Sequence, residues 1–590
     1  MTQACGDDEP EPAKDAGAAG RSDAGSSSGG AGGRGGTGGT AAVGGKSSAG
    51  TGGGGAGGAG KGGAGGTGTG GAGGTGAEPP KLPVLGAPIT PGKLTGVDIT
   101  LEVRTDKPLH WIAREIYGTN GAPAIADNRQ TVVRSGGNRM TAYNWETNAS
   151  NAGSDWQFQN DSYLSDSSEP AKPILDGIAE AAAHQAAAIV TIPLVDYVAA
   201  DKKGDGDVRN SGASYLEQRF KQNKPEKKAA FTAPDVGDAF VYQDEFVAYL
   251  KARAPSGSRV LFSMDNEPDL WASTHAEVHP KPVTYAELWE RNRNYASAVK
   301  NVWADAPVLG FVSYGFNGYV TLQNAPDANG RDFIEWYLDQ AQADEQETGR
   351  RLIDYLDLHW YPEAQGGGTR ITEDSTQQAV VTAREQAPRS LWDESYQEQS
   401  WIRDYLNAPI HLLPRLAKKI DDHYPGTKLA FTEWNYGGGG HISGAIACAD
   451  VLGIFGREGV GLATYWALHD DESFAYAAFR AYRNYDGAGA EFGDVSLAAV
   501  SSNVEKVSVY ASLHADDPDH VVMVVINKSD TDSAVGLTLA HPSKQKSLTR
   551  YQLTAANVKL MAQPDVDTSA DNAWKLMLPA QSISVLVPKR

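Results

Sequence analysis

Two cysteines in 590 residues exclude a disulfide-stapled scaffold and any cysteine-rich metal site. One of them, Cys448, lies in the apolar pattern "GAIACADVLGIF", the setting of a buried core thiol. Cationic charge is also short. Lys and Arg total 52 against 73 Asp and Glu, which leaves a formal net charge of -21 and a pI near 5.0. That surface lacks the basic footprint nucleic-acid phosphates require, so the expected partners are neutral or cationic. Long hydrophobic runs are missing as well. Nothing approaches the ~18 apolar residues of a membrane-spanning helix, so no transmembrane span is expected.

Apolar side chains are scarcest in residues 16–78, which are almost wholly Gly, Ala, Ser and Thr. Such a stretch buries too little surface to offset its ordering entropy, and residues 1–84 are expected to form a disordered tether. At its head, "ACGDDEPEP" resembles the mature start of a bacterial lipoprotein, with Cys5 as the lipid-bearing residue. The apolar leader that should precede such a cysteine is absent, since only "MTQA" stands before it. This resemblance implies an extracellular or cell-surface location with a lipid anchor through Cys5. The rival reading is a plain tail with an incidental cysteine.

The remaining chain is rich in short continuous apolar runs that end in polar or glycine punctuation and alternate with helical periodicity. Eight are found: 114–120, 132–139, 188–198, 260–268, 308–316, 355–362, 429–437 and 461–468. Continuous apolarity marks strands buried on both faces, hence parallel, and eight of them predict a closed (β/α)8 TIM-like barrel over residues 113–485. Helices are expected over 241–253, 284–303 and 331–342; Thr284 and Glu287 form a capping-box pattern. Beyond residue 486 the texture changes to alternating short strands, an accessory all-β sandwich over 486–590. The alternating segment 98–106, within 85–112, is a candidate strand of that sandwich.

In such a barrel, function collects at the carboxyl ends of the strands. Those ends carry Arg134 and Asn138, Asp196, Asn266 and Glu267, His359 and Tyr361, Glu433, and Trp466. A polar ring with aromatic neighbours suits a carbohydrate. Glu267 after the fourth run and Glu433 on the seventh are the two carboxyls that could flank a glycosidic bond, and barrel geometry can bring them ~5 to 5.5 Å apart. Trp271, Trp145 and Glu146 are further candidates for the substrate cleft. No metal or cofactor is called for. His275 and His279 stand at H-x3-H spacing without an apparent third ligand, "DKKGDGDV" (201–208) lacks a complete calcium loop, and "GGGGH" (437–441) lacks the residues of a phosphate loop.

Several long stretches together resemble glycoside hydrolase family 44: "SMDNEPDLW" with "HAEVHPKPVTYAELWERNRNYASAVK", "RSGGNRMTAYNWETNASNAGSDW", "LHWYPE", "FTEWNYGGGGHISGAIACADVLGIFGREGV" and "RNYDGAGAEFGD". The likeness covers about residues 98–590. It implies a retaining endo-acting β-1,4-glucanase, on cellulose-like or xyloglucan-like chains, built from a barrel and a β-sandwich. Carried over by motif, the Glu of "DNEP", Glu267, is the acid/base, and the Glu of "TEWN", Glu433, is the nucleophile. Asn266 is expected to reach the sugar 2-hydroxyl and Tyr361 to orient Glu433. The enzyme is expected to act as a monomer. A non-catalytic glycan-binding surface protein and an inverting hydrolase are the rivals.

Overall fold

The computed structural model describes residues 81–590, so the tether and Cys5 lie outside the described residues. Eight parallel strands close into a barrel: Gly118–Asn120, Val132–Ser135, Ala187–Ile192, Arg259–Met264, Val308–Ser313, Tyr355–Trp360, Lys428–Trp434 and Leu462–Tyr465. Each pairs with its neighbours in chain order, and the last closes on the first through Thr464↔Gly118. All eight apolar runs are barrel strands.

The barrel interior is a packed core graded along its axis. Near the amino end, Val132, Ala187, Ile189, Leu261, Leu309, Tyr355, Ala430 and Leu462 form one apolar plug. Toward the carboxyl end the buried residues become polar: Arg134, Asp357, Thr432 and Glu433. The run of apolar strand residues therefore stops where chemistry begins.

Local rules account for the helices. Tyr285–Val302 starts at Thr284, whose side chain accepts from the Glu287 N–H, and it buries Leu288, Tyr295 and Val299. Glu287 does not complete the capping box, because its carboxylate is taken by His279 and Arg291. Phe333–Thr348 starts at Asp332, which accepts from the Glu335 N–H, and stops at Gly349 in the left-handed conformation. It runs past the expected residue 342. The third helix is Gln243–Arg253.

The all-β part is a single hydrogen-bonded order of nine strands. Ile99–Trp111 lies inside it, antiparallel to Val495–Ser501 and parallel to Ser533–Ala540. The sheet curls, so Leu548 and Trp574, from strands near its two ends, share one apolar cluster. Its strand Val521–Asn527 is buried at every residue. Val521, Met523 and Val525 face the sheet's own core, while Val522, Val524 and Ile526 join the barrel's. No helix among the described residues is long and apolar enough to cross a membrane.

Candidate active site

Glu433 is the penultimate residue of the seventh barrel strand, and Glu267 stands three residues past the end of the fourth. They meet at the barrel mouth. Carboxylate oxygens of both, with a ring nitrogen of His359, lie within 4.8 Å of one another. The Glu267 backbone is left-handed (φ 47°, ψ 56°), and its N–H donates to the Val312 carbonyl at 3.0 Å. A non-glycine residue in that conformation costs on the order of 1–3 kcal/mol and persists where its surroundings hold it, commonly at functional sites. Asp265 supplies that hold. Its carboxylate accepts from Thr141 Oγ1 at 2.6 Å, the Asn266 N–H at 2.7 Å and the Leu194 N–H at 2.5 Å.

The two glutamates have different surroundings. Glu433 Oε1 accepts from Arg134 Nη1 at 2.7 Å, and Oε2 accepts from the Tyr361 hydroxyl at 2.8 Å. Glu267 keeps 17% of its side-chain surface and meets His359 Nδ1 at 2.9 Å. Burial, opposed by Arg134 and reinforced by the negative charge of Asp155, raises the Glu267 carboxyl to about 7. Burial brings the His359 imidazole down to about 3, so it is neutral across the working range. Its Nδ1 also lies 3.5 Å from Glu433 Oε2, which places a neutral ring between the two acids. Two carboxylates and an imidazole this close are a geometry a divalent ion accepts. Here the Arg134 guanidinium already supplies positive charge to Glu433.

Arg134 organises a third group. Its Nη2 donates to Asn266 Oδ1 at 2.8 Å, and the Gly137 N–H donates to the same oxygen at 3.2 Å. The Asn266 carbonyl is thus used, which leaves its NH2 as the group facing a ligand. A Cβ on Gly137, whose φ is +88°, would stand 2.9 Å from Trp466 Cη2. The half-buried Trp466 indole therefore borders the same mouth. Asn138 sits one step further out, donating to Asp155 Oδ1 at 2.7 Å.

Three expected cleft residues are elsewhere. Trp271 is fully buried, its ring 5.1 Å from that of His279 with Arg291 over its face. Trp145 is fully buried, stacked on Phe246 and tilted against Tyr249, its indole N–H donating to the Tyr242 carbonyl at 3.2 Å. Both are core residues: short helices after the strands turn these rings inward. Glu146, 2% exposed, pairs with Lys221 at 3.1 Å. Asp196 is exposed and held by Arg291. The minor motifs are structural too. His275 and His279 bond Glu277 and Glu287, Arg219 gathers Asp201 and Asp205, and Gly439 leaves room for Glu472.

Sequence reasoning missed other residues. Asp269, two residues beyond Glu267, is buried and raised to about 7 by desolvation while accepting from Ser313 Oγ at 2.7 Å. Phe316, just past the fifth strand, packs edge-on against Trp401 and Tyr405, at centroid distances of 6.0 Å each. Trp401 and Tyr405 are 38% and 61% exposed, an aromatic face on the carboxyl side of the barrel. They lie on the six-residue helix Trp401–Leu406, capped by Ser400, where no longer pattern marks the exposed face.

The family model for glycoside hydrolase family 44 matches residues 149–364. The beta-mannanase/endoglucanase A of Caldicellulosiruptor saccharolyticus is 38% identical over 515 residues, 82% of this chain and 38% of that protein. Endoglucanase A of Paenibacillus lautus is 40% identical over 454 residues, 74% of this chain and 64% of that protein. The chain thus spans less than two thirds of the length of these curated relatives. A Paenibacillus polymyxa xyloglucanase from family 44, solved with xyloglucan, has a TM-score of 0.80 at 38% identity, covering 83% of this chain and 99% of that one. A family 44 endoglucanase from Clostridium thermocellum has a TM-score of 0.79 at 37% identity, covering 84% and 100%.

Proposed function

The chain belongs to glycoside hydrolase family 44, and from that premise we propose that it is an endo-acting, retaining hydrolase of β-1,4-glucans, cellulose-like or xyloglucan-like. The observation that carries this reading is the approach of the Glu267 and Glu433 carboxylate oxygens to within 4.8 Å. Retaining enzymes hold their two carboxyls ~5 to 5.5 Å apart, whereas inverting ones need ~6.5 to 9.5 Å to admit a water.

Glu433, its oxygens aligned by Arg134 and Tyr361, attacks the anomeric carbon. Glu267, protonated below pH about 7, gives its proton to the departing glycosidic oxygen. The Asn266 NH2 holds the 2-hydroxyl, a bond that strengthens as oxocarbenium character develops. In the second half Glu267, now a carboxylate, takes a proton from water, and the water oxygen displaces Glu433 from the opposite face, the one the leaving group vacated, so the anomeric configuration is retained. His359 stays neutral and positions Glu267. Trp466 on one side and the Phe316, Trp401 and Tyr405 face on the other offer flat surfaces for sugar C–H groups. No step requires a cofactor.

The test is release of reducing ends from carboxymethylcellulose and xyloglucan, with NMR of the first-formed anomer. Wild type should release the β-anomer first, and Glu267→Gln and Glu433→Gln should be inactive. A wild type as inert as both variants would leave a non-catalytic glycan-binding protein.

A polymeric substrate calls for an exported enzyme, and the Cys5 setting supports a lipid anchor; palmitate labelling lost in Cys5→Ala tests it. The site is complete within one chain, which supports a monomer, to be checked by light scattering.

A further inference from the structure

One motif is left unused by the cleft: "HADDPDH", residues 514–520. It is the turn between the sheet strands Val507–Leu513 and Val521–Asn527. The ladder pairs Leu513 with Val521, so His514 and His520 face each other one step beyond it. Three backbone bonds close the loop: the His514 N–H to the His520 carbonyl at 3.3 Å, the Asp517 N–H to the His514 carbonyl at 3.2 Å, and the His520 N–H to the Asp517 carbonyl at 2.8 Å. The imidazoles are thereby held with centroids 4.7 Å apart and planes at 72°. Two imidazoles on one ion, each bonded at ~2.0–2.1 Å, bring their centroids to roughly 4.5–5.5 Å. The pair already has that spacing.

The hydrogen bonding agrees. His514 Nε2 lies 3.3 Å from the Glu491 carbonyl. Donating there leaves Nδ1 with its lone pair, the usual way a ligating histidine is oriented. His520 Nε2 is buried with no hydrogen-bond partner, a state that costs free energy unless a ligand meets it.

Both rings line a cavity of about 300 Å3 shared with Asp516, Asp517, Glu491 and Arg129. Glu491 is already paired with Arg483 at 2.7 Å, and Asp516 and Asp517 still outnumber the Arg129 guanidinium, which disfavours an anion. Tyr485, the aromatic ring lining this cavity, is buried, so no platform for a sugar is offered.

We propose that His514 and His520 form a transition-metal site for Zn2+ or another borderline divalent ion, with Asp516 or Asp517 turning in as a third ligand. Bound there, the ion clamps the two ends of the sheet hairpin's turn together. The site is independent of the glycosidase reading.

The test is calorimetric titration of the untagged full chain with zinc chloride. One ion per chain is expected, bound at least tenfold more weakly by His514→Gln and by His520→Gln, and equally well by Glu433→Gln. Zinc should raise the melting temperature of wild type and leave that of His514→Gln unchanged. Should the histidine variants misfold, diethylpyrocarbonate footprinting of wild type decides: zinc should protect His514 and His520 from modification. The proposal is overturned if wild type takes up no zinc, if both histidine variants bind it as tightly as wild type, if Glu433→Gln alone abolishes binding, or if zinc leaves both rings equally reactive.

Discussion

Arg134 and Glu433 form an ion pair inside the barrel, Nη1 to Oε1 2.7 Å, with side chains 0% and 6% exposed. The same guanidinium fixes Asn266, so one residue of the second strand sets groups from the fourth and the seventh. Removing it strands a carboxylate in a site with little water.

Arg134→Met should therefore lose activity and about 3–5 kcal/mol of stability, the usual consequence of leaving one partner of a buried pair uncompensated. Arg134→Lys keeps the charge but not the fork that reaches both Glu433 and Asn266, and should recover stability before it recovers kcat. Urea unfolding with parallel assays separates the two effects.

The pH profile follows from Glu267. An acid raised to about 7, chiefly by burial, carries its proton below that pH and loses it above. kcat/KM should thus fall tenfold per unit on the alkaline side of about pH 7. Asp155 contributes to the upward shift, so Asp155→Asn should move the alkaline limb to lower pH. An unmoved limb would remove Asp155 from the account.

The same shift acts on stability. A carboxyl whose pKa rises on folding, here from 4.5 to about 7, favours the folded state below the unfolded value, and that contribution is lost as pH rises through the folded one. Glu267→Gln has no such proton. Between pH 4.5 and 8 wild type should lose up to about 3 kcal/mol more than the variant. Denaturant unfolding of the pair across that window measures it, and parallel curves would contradict the assigned burial cost.

Trp466 and Trp271 should respond differently to truncation. Trp466→Ala should raise KM or lower kcat/KM by about 5- to 30-fold, equivalent to 1–2 kcal/mol, with the melting temperature little changed. Trp271→Ala, like Trp145→Ala, should cost about 3–5 kcal/mol of stability, the range for emptying a buried aromatic site. Comparing thermal unfolding with kinetics distinguishes rim from core.

The barrel was legible because parallel strands buried on both faces leave uninterrupted apolar runs, and because each run ends where a polar residue must face the mouth. Reading only those ends singles out Glu267, Glu433, His359 and Tyr361, whose side chains the structure brings together at one mouth. Residues on the short elements after the strands were harder. Trp271 follows Glu267 by four residues, yet the turn Pro268–Leu270 and the helix Trp271–Thr274 send its ring into the core. Sequence spacing does not report that rotation. Trp401 and Tyr405 escaped for the opposite reason: they lie on a six-residue helix, too short for periodicity to mark its exposed face. Asp155 acts through space on Glu267 from the short 3-10 helix Gly153–Trp156, more than a hundred residues earlier, which no local pattern encodes.

Trapping the covalent intermediate tests the pairing of Glu267 with Glu433 most directly. After incubation with a 2-deoxy-2-fluoro cello-oligosaccharide bearing a good leaving group, peptide mass spectrometry should find one fluoroglycosyl unit on Glu433. An active enzyme that forms no adduct, or carries it on any other residue, would contradict the account.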